Sequence, residues 1–562
     1  MSGIGTELMK EGAMDDVDHI SAEPYEDAAT FENGQLRRKG SDEGSEDMGD
    51  FRVEEIRPLS YYGCTTWLGF SVLICCFGSP FLFGYNIGVL NTPAPTIIQF
   101  YNETYTERNG EAPTKAFLEI MWSLTIAIFV ATGMVGAFVS GMVSERFGRR
   151  NALLFNHLFM ILGALCEGLV TVANAPELMI VGRALIGLSS GILLCIAPMY
   201  LTEIAPRSLR GALGVCNQLA ITCGIMVAQI FGLQQIMGNA QLWPLLCALT
   251  GVPALLSLLV FPFCPESPSF LYHQRNSKTE AAKALKRLRN STDVDAELEE
   301  MNKESKEATS QTETFKFKQI FAPDLRFPLL ICVLMQVAQQ WSGINAIFFY
   351  SEMIFKSAGI EAGSVQYAVL GTGIINVIAT IVAVPLIEKL GRRPLLLVPM
   401  GAMAVSMILI TVSLNLPDVA GMPYVSIGCV ILYVIGFAIG LGPIPLFVAS
   451  EVFRQEPRQI AMSIALFFNW VCNFILAISF RFIQTALGAY TFLIFLVVII
   501  GAIVFIFFFV PETKGRSIDE IARDLAFGRQ SAGPAFSSQS MLLHEGVKKD
   551  PKDIYVGTTE KL

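Results

Sequence analysis

Eight side-chain amides interrupt otherwise apolar runs: Gln218, Gln336, Gln339, Gln340, Asn345, Asn376, Asn469 and Asn473. A primary amide both donates and accepts hydrogen bonds, and it carries no charge to desolvate. A charge at the centre of a bilayer costs roughly 2.5–3.5 kcal/mol on insertion scales, so neutral amides are the less costly ligands there. Gln336 and Gln340 are four residues apart, as are Asn469 and Asn473, a spacing that puts each pair on one helix face. Such groups suit an uncharged solute that presents hydroxyls. The competing explanation is that they glue helices together, as polar residues in bundles do.

A second set of residues is charged and repeated. Glu145-Arg146-Phe147-Gly148-Arg149-Arg150 returns as Glu388-Lys389-Leu390-Gly391-Arg392-Arg393, 243 residues later. Glu203 and Arg210 are echoed by Glu451 and Arg458 at an offset of 248, and Pro265-Glu266 by Pro511-Glu512 at 246. Three echoes in one order and nearly one register point to duplicated six-helix halves. Parallel halves of this kind place a solute site at their interface, near the midplane of the membrane.

The elements that must carry these residues are twelve apolar stretches. Mean hydropathy is +0.51, and one crossing of a hydrocarbon core about 30 Å thick takes roughly 20 helical residues. The expected spans are Trp67–Leu90, Leu118–Val143, Ala152–Ala173, Leu178–Tyr200, Ala212–Gln235 and Leu242–Phe263. After a break they continue with Phe327–Tyr350, Val365–Glu388, Leu395–Leu416, Tyr424–Ala449, Ile460–Gln484 and Tyr490–Val510. The break is rich in Lys, Glu and Arg, and Lys278–Asn290 and Asp295–Lys306 have helical composition. The expected organisation is an N-terminal tail over 1–62, a six-helix bundle over 63–263 and a cytoplasmic linker over 264–326. A second bundle follows over 327–510, and then a tail over 511–562.

Charge sets the orientation. Arg146, Arg149 and Arg150, then Arg207 and Arg210, the central linker, Lys389, Arg392 and Arg393, and Arg454 and Arg458 all fall on one side. Only Arg108, Lys115 and Lys356 lie clearly in loops on the other. By the positive-inside rule both termini are cytoplasmic. The sequon Asn102-Glu103-Thr104 then falls outside, as a glycosylation acceptor, while Asn290-Ser291-Thr292 falls inside.

The tail over residues 1–60 holds 16 acidic against 6 basic residues, whereas the whole chain has a formal net charge of -9. The remainder is therefore close to neutral, and the acidic balance says nothing about a nucleic-acid partner. The tail is the composition of a disordered segment and lacks the features of a secretory signal. Cys75, Cys76, Cys195, Cys216, Cys223, Cys332 and Cys472 lie within apolar runs without metal or redox spacing, and read as packing residues. His19, His157, His273 and His544 are scattered and assemble no site with an acid or nucleophile. Neither enzyme chemistry, a metal nor a cofactor is expected.

Together these landmarks resemble the facilitative hexose transporters of animals, in the sugar-porter branch of the major facilitator superfamily. The resemblance runs from Trp67 to about Asp524. Its most specific parts are Gly182-Arg183, Pro265-Glu266-Ser267-Pro268, Gln339-Gln340-Trp341-Ser342-Gly343-Ile344-Asn345, Gly442-Pro443-Ile444-Pro445 and Val510-Pro511-Glu512-Thr513-Lys514-Gly515-Arg516. It implies an all-α membrane fold of twelve helices in two pseudo-symmetric six-helix bundles with a helical cytoplasmic linker.

The resemblance also implies sugar contacts at Gln218, Gln339, Gln340, Asn345, Asn376, Gly442 and Asn469, with Asn473 lining the cavity. Trp470 is expected to fill the bundle. Two departures stand out: Ala438 and Leu446 occupy helix-ten positions where glucose carriers have Glu and Trp, and Gln336-Val337-Ala338 replaces Gln-Leu-Ser. These leave the choice of hexose open.

Glu145, Arg149, Arg150, Glu203, Arg210, Glu388, Arg392, Arg393, Glu451 and Arg458 are implied to form inter-helix ion pairs while the cavity faces outward and to release them when it faces inward. The interruption at Gly440–Pro445 is a candidate outer gate. From loop counting alone, Glu167 and Arg183 reach one depth on neighbouring helices, and an ion pair between them is expected.

Facilitated diffusion of glucose or fructose across the plasma membrane is the favoured activity. A proton-coupled symporter would carry an acid in the first helix, where this chain has Asn86. A transport-inactive sensor would signal through long motif-bearing tails. Expected partners are a hexose and membrane lipid, with no nucleic acid; a homo-oligomer is left open.

Overall fold

The computed structural model describes residues 65–206, 209–310, 317–416, 419, 421–453, 455–514, 516, 520–521 and 524–525. The tail over 1–62 and most of that over 511–562 lie outside these residues, as do the side chains of Arg210 and Glu388. Among the described residues the structure is helical, and eleven stretches are long and apolar enough to cross a membrane.

In chain order the first six are α1 (Thr66–Gly88), α2 (Lys115–Phe147), α3 (Arg149–Gly168), α4 (Pro176–Ile204), α5 (Leu213–Phe231) and α6 (Trp243–Phe263). The next four are α7 (Leu325–Ser357), α8 (Gly363–Ile387), α9 (Arg392–Leu414) and α10 (Met422–Ala449). The eleventh stretch, Ile460–Phe509, runs for 50 residues. A straight helix of that length would be about 75 Å long, more than twice the hydrocarbon thickness. A 3-10 turn at Gly488–Tyr490, with Gly488 at φ +56°, divides it into α11 (Gln455–Leu487) and α12 (Thr491–Phe509). This separates the two last expected spans.

Several helices run beyond the apolar runs that announced them. α2 begins at Lys115 and ends at Phe147, because polar residues at its ends still favour a helix outside the lipid. Linker helices at Lys278–Arg289 and Asp295–Ser310 match the composition reading. Arg289 bonds Glu297 at 2.8 Å and the Ile204 carbonyl at 2.8 Å, tying the linker to the end of α4. Within the first half, α1 and α5 touch backbone to backbone. A Cβ on Gly84 would lie 1.9 Å from the Ile221 carbonyl oxygen, and one on Gly224 would lie 2.1 Å from that of Phe81. Small residues allow the close approach on which packing inside a membrane depends.

Among the described residues four of the spanning helices are interrupted: α6 at Leu249 and Thr250, and three others. α1 breaks at Ser79, whose φ and ψ are -127° and -83°. α7 stops at Trp341 and resumes at Ile344 after Gly343 at φ +95°, and Tyr350 adds a second irregularity. α10 stops at Ile439 and resumes at Ile444, where Gly440 is non-helical and Pro443 and Pro445 supply no N–H. The α10 interruption lies where the sequence placed it; for α7 the sequence reading gave the span Phe327–Tyr350 and named no break. Each break frees backbone carbonyls, and lipid cannot satisfy them.

Candidate functional site

The α7 and α10 breaks and the facing surface of α11 assemble most of the expected amides into one network. Asn469 on α11 donates to Gln336 and Gln339 on α7, both at 2.7 Å. Gln340 donates to Asn469 at 2.8 Å, and Asn345 donates to Gln340 at 2.6 Å. Gln339 donates to the carbonyls of Leu441 and Gly442 at the α10 break, both at 2.8 Å. Tyr433 on α10 closes the assembly by donating to the Ser342 carbonyl at the α7 break, at 2.7 Å. Gln340, Asn345 and Asn469 are buried; Gln339 is half-buried.

The broken helices thus explain each other. Carbonyls freed at one break accept hydrogen bonds from side chains on the neighbouring helix, at a depth where water is scarce. Gln336 belongs to this network although sequence reasoning gave it no contact role; its spacing of four from Gln340 was the available signal. Gln218 on α5 and Asn376 on α8 stand on two helices that pack together across the halves, yet their amides do not join the network. Asn473 lies one turn beyond Asn469, with its Oδ1 buried and unbonded. Trp470 is 1% exposed and spans the junction of the halves, its ring 5.9 Å from that of Phe83 and seated over Gly133. It fills the bundle, as expected.

The charged repeats are structurally equivalent in fine detail. In the first half, Glu266 Oε1 accepts the backbone N–H groups of Arg149, Arg150 and Ser267 at 3.0, 2.9 and 2.9 Å. In the second, Glu512 accepts those of Arg392, Arg393, Thr513 and Lys514 at 2.9–3.1 Å. A carboxylate caps the positive N-terminus of α3 and another that of α9. The preceding glycines share one conformation: Gly148 has φ +87° and ψ 172°, Gly391 φ +90° and ψ 170°. A Cβ on either would meet the capping carboxylate at 2.6 or 2.8 Å.

The arginines then reach sideways. Arg149 pairs with Glu203 at 2.9 Å and Arg392 with Glu451 at 2.7 Å. Ser267 and Thr513 hydroxyls donate to the same two acids. Arg150 bonds the Cys264 carbonyl at 3.2 Å, and Arg393 that of Phe507 at 2.6 Å. Arg458 bonds the Phe453 carbonyl at 3.1 Å, and Glu145 is exposed. Both described pairs join helices of a single half.

The side opposite the charged repeats is held differently, by bonds between halves. Asn91, just beyond α1, donates to the Phe348 carbonyl at 2.9 Å and to the Ser351 hydroxyl, and accepts from the Glu352 N–H at 3.2 Å. The Gln234 N–H donates to Gln366 at 2.9 Å, and Gln235 to Tyr367 at 3.0 Å. The two halves are therefore tied together on this face. On the same face, Arg108 pairs with Glu177 at 2.8 Å and Tyr105 donates to Glu177 at 3.2 Å, so that the helix Ala94–Asn109 is clamped to α4. Partial burial, and then the Glu177 carboxylate, raise the Tyr105 phenol above its ordinary range.

One expectation is overturned. Glu167 and Arg183 are both buried, but both Glu167 oxygens lack a hydrogen-bond partner. Arg183 instead donates to the Asn86 carbonyl at 3.2 Å and lies 4.3 Å from the centre of the Phe129 ring. Loop counting sets depth, not direction, and the guanidinium is turned toward α1 and α2. A carbonyl and an aromatic face are its contacts, with Glu167 still within electrostatic reach.

Two parallel six-helix halves, interrupted helices at their interface and an uncharged polar network beside it define a membrane carrier of the major facilitator fold. The family model described as "Sugar (and other) transporter" matches residues 71–525, and the chain belongs to that family. It is a porter, not an enzyme. The mouse protein named solute carrier family 2, facilitated glucose transporter member 4 is 44% identical over 483 residues, 85% of this chain and 92% of its own. Rat member 5 is 43% identical over 458 residues, covering 81% and 91%. Among solved structures, the proton:xylose symporter XylE bound to 6-bromo-6-deoxy-D-glucose is similar with a TM-score of 0.68 at 22% identity, over 81% of this chain and 98% of that one.

Proposed function

We propose that this protein carries a hexose, glucose or fructose, across the plasma membrane by facilitated diffusion, with both termini in the cytoplasm. The observation that carries the reading is the network of Gln336, Gln339, Gln340, Asn345 and Asn469 against the α7 and α10 breaks. A sugar hydroxyl donates and accepts, so it can replace an amide partner bond for bond. Gln218, Asn376 and Asn473 complete the contacts in this reading, approaching from α5, α8 and the next turn of α11. The names of the relatives, facilitated glucose transporters, support it.

Uniport is favoured over proton symport because the network consists of amides and backbone carbonyls, none of which exchanges a proton at physiological pH. At the first-helix position, Asn86 donates to its own helix at Leu82, 2.9 Å away. In the proposed cycle the halves rock about the bound sugar, and the concentration gradient sets direction. The arginine–glutamate pairs within each half keep each bundle rigid during the rocking.

The test is Gln340→Leu, measured with radiolabelled glucose and fructose in vesicles. Transport should fall at least tenfold, because Asn345 and Asn469 lose their shared partner, while unlabelled hexoses compete in the wild type. Unchanged uptake would remove the network from the site, and sugar-driven proton entry would overturn uniport.

A further inference from the structure

A charged cluster on the outer rim plays no part in the sugar network. Glu119 is in the second turn of α2, and Arg481 lies two turns before the end of α11 at Leu487. Their nearest atoms are 3.8 Å apart, and each side chain is 19% exposed. This is the ion pair among the described residues that joins the first half to the second. Glu352 on the outer part of α7 is within electrostatic reach of Arg481 and bonds Lys356 at 2.5 Å. Arg481 therefore stands between an acid of its own half and an acid of the opposite half. Its Nε is buried and unbonded, so the guanidinium is not locked to either.

We propose that Glu119 and Arg481 are positioning residues of the transport cycle: a latch that holds the outer face closed. The claim rests on the alternating-access reading above. Opening the outer face must part α2 from α11, because these helices pack together across the junction of the halves. Parting them breaks the Glu119 contact and leaves Arg481 to Glu352, which moves with it. The pair is attractive only in the closed arrangement, so it biases the empty carrier toward the inward-facing side. At 3.8 Å the interaction is Coulombic rather than a hydrogen bond. Its strength belongs with partly exposed pairs, which change an equilibrium by about 1.5- to 5-fold.

The test uses the full chain in intact cells, with radiolabelled D-glucose entering sugar-free cells and leaving loaded ones. Glu119→Gln and Arg481→Gln should each lower the entry KM relative to the exit KM by about 1.5- to 5-fold. Glu119→Gln should add nothing in the Arg481→Gln background, since its partner is already gone. Arg481→Lys keeps the charge and should retain the wild-type ratio. An unmoved ratio in the single variants, or additive effects in the double variant, would overturn the latch while leaving the carrier reading intact. Absence of hexose flux in the wild type would instead overturn the carrier reading.

Discussion

Replacing Glu266 tests whether the capping carboxylates hold the two bundles in shape. Its Oε1 accepts three backbone N–H groups at 2.9–3.0 Å. Each is a charge-assisted bond of about 1.5–3 kcal/mol, and sharing one oxygen makes their sum less than additive. Glu266→Ala removes the acceptor from buried donors at the start of α3 and should cost about 3–5 kcal/mol. Glu266→Gln keeps an oxygen but loses the charge facing the helix terminus, and should cost about 1–2 kcal/mol. At about 2–4 °C per kcal/mol for a unit of this size, the alanine variant should melt roughly 6–20 °C lower, and the glutamine variant only a few degrees lower.

The assay is a thermal melt in detergent followed by tryptophan fluorescence, with Glu512→Ala and Glu512→Gln as the matched pair in the second half. Gly148→Ala is the steric control: φ +87° and a Cβ 2.6 Å from the same carboxylate predict a loss comparable to the alanine variant. A glutamine variant that melts with the wild type would refute the charge argument. No loss in any of the five variants would refute capping altogether.

Two further outcomes follow from single positions. Glu167→Gln should not destabilise the protein in the same melt and should leave sugar uptake intact, because the carboxylate has no hydrogen-bond partner to lose and a neutral amide is less costly to bury. A loss of about 3–5 kcal/mol would show that a buried pair with Arg183 forms after all. Asn102→Gln should remove an endoglycosidase-sensitive gel shift in protein expressed in animal cells, and an unchanged shift would dismiss that acceptor.

The helical membrane fold and the repeated charged motifs were legible because each is a property of one dimension. Apolar length announces a span, and an offset near 246 announces a repeat. The α7–α11 network was partly legible, since i,i+4 spacing and the family pattern named Gln339, Gln340, Asn345 and Asn469. What spacing could not convey was the α7 break, which supplies the Ser342 carbonyl, and thus the reason that Tyr433 matters. The roles of Glu266 and Glu512 were visible only as an echo, because a cap is a contact between residues more than a hundred positions apart. Arg183 shows the opposite error. Depth was countable, but the direction of its side chain depends on Phe129 and Asn86, contributed by helices that counting never compared.

The two carbonyls that Gln339 grips, those of Leu441 and Gly442, belong to the main chain. A point substitution can trim or enlarge a side chain, but it cannot delete a peptide oxygen. Part of the central polar surface is thus beyond the reach of ordinary drift, and differences among descendants must accumulate in the replaceable rim around it. Ala438 and Leu446, flanking the same interruption, are where such divergence has room to act.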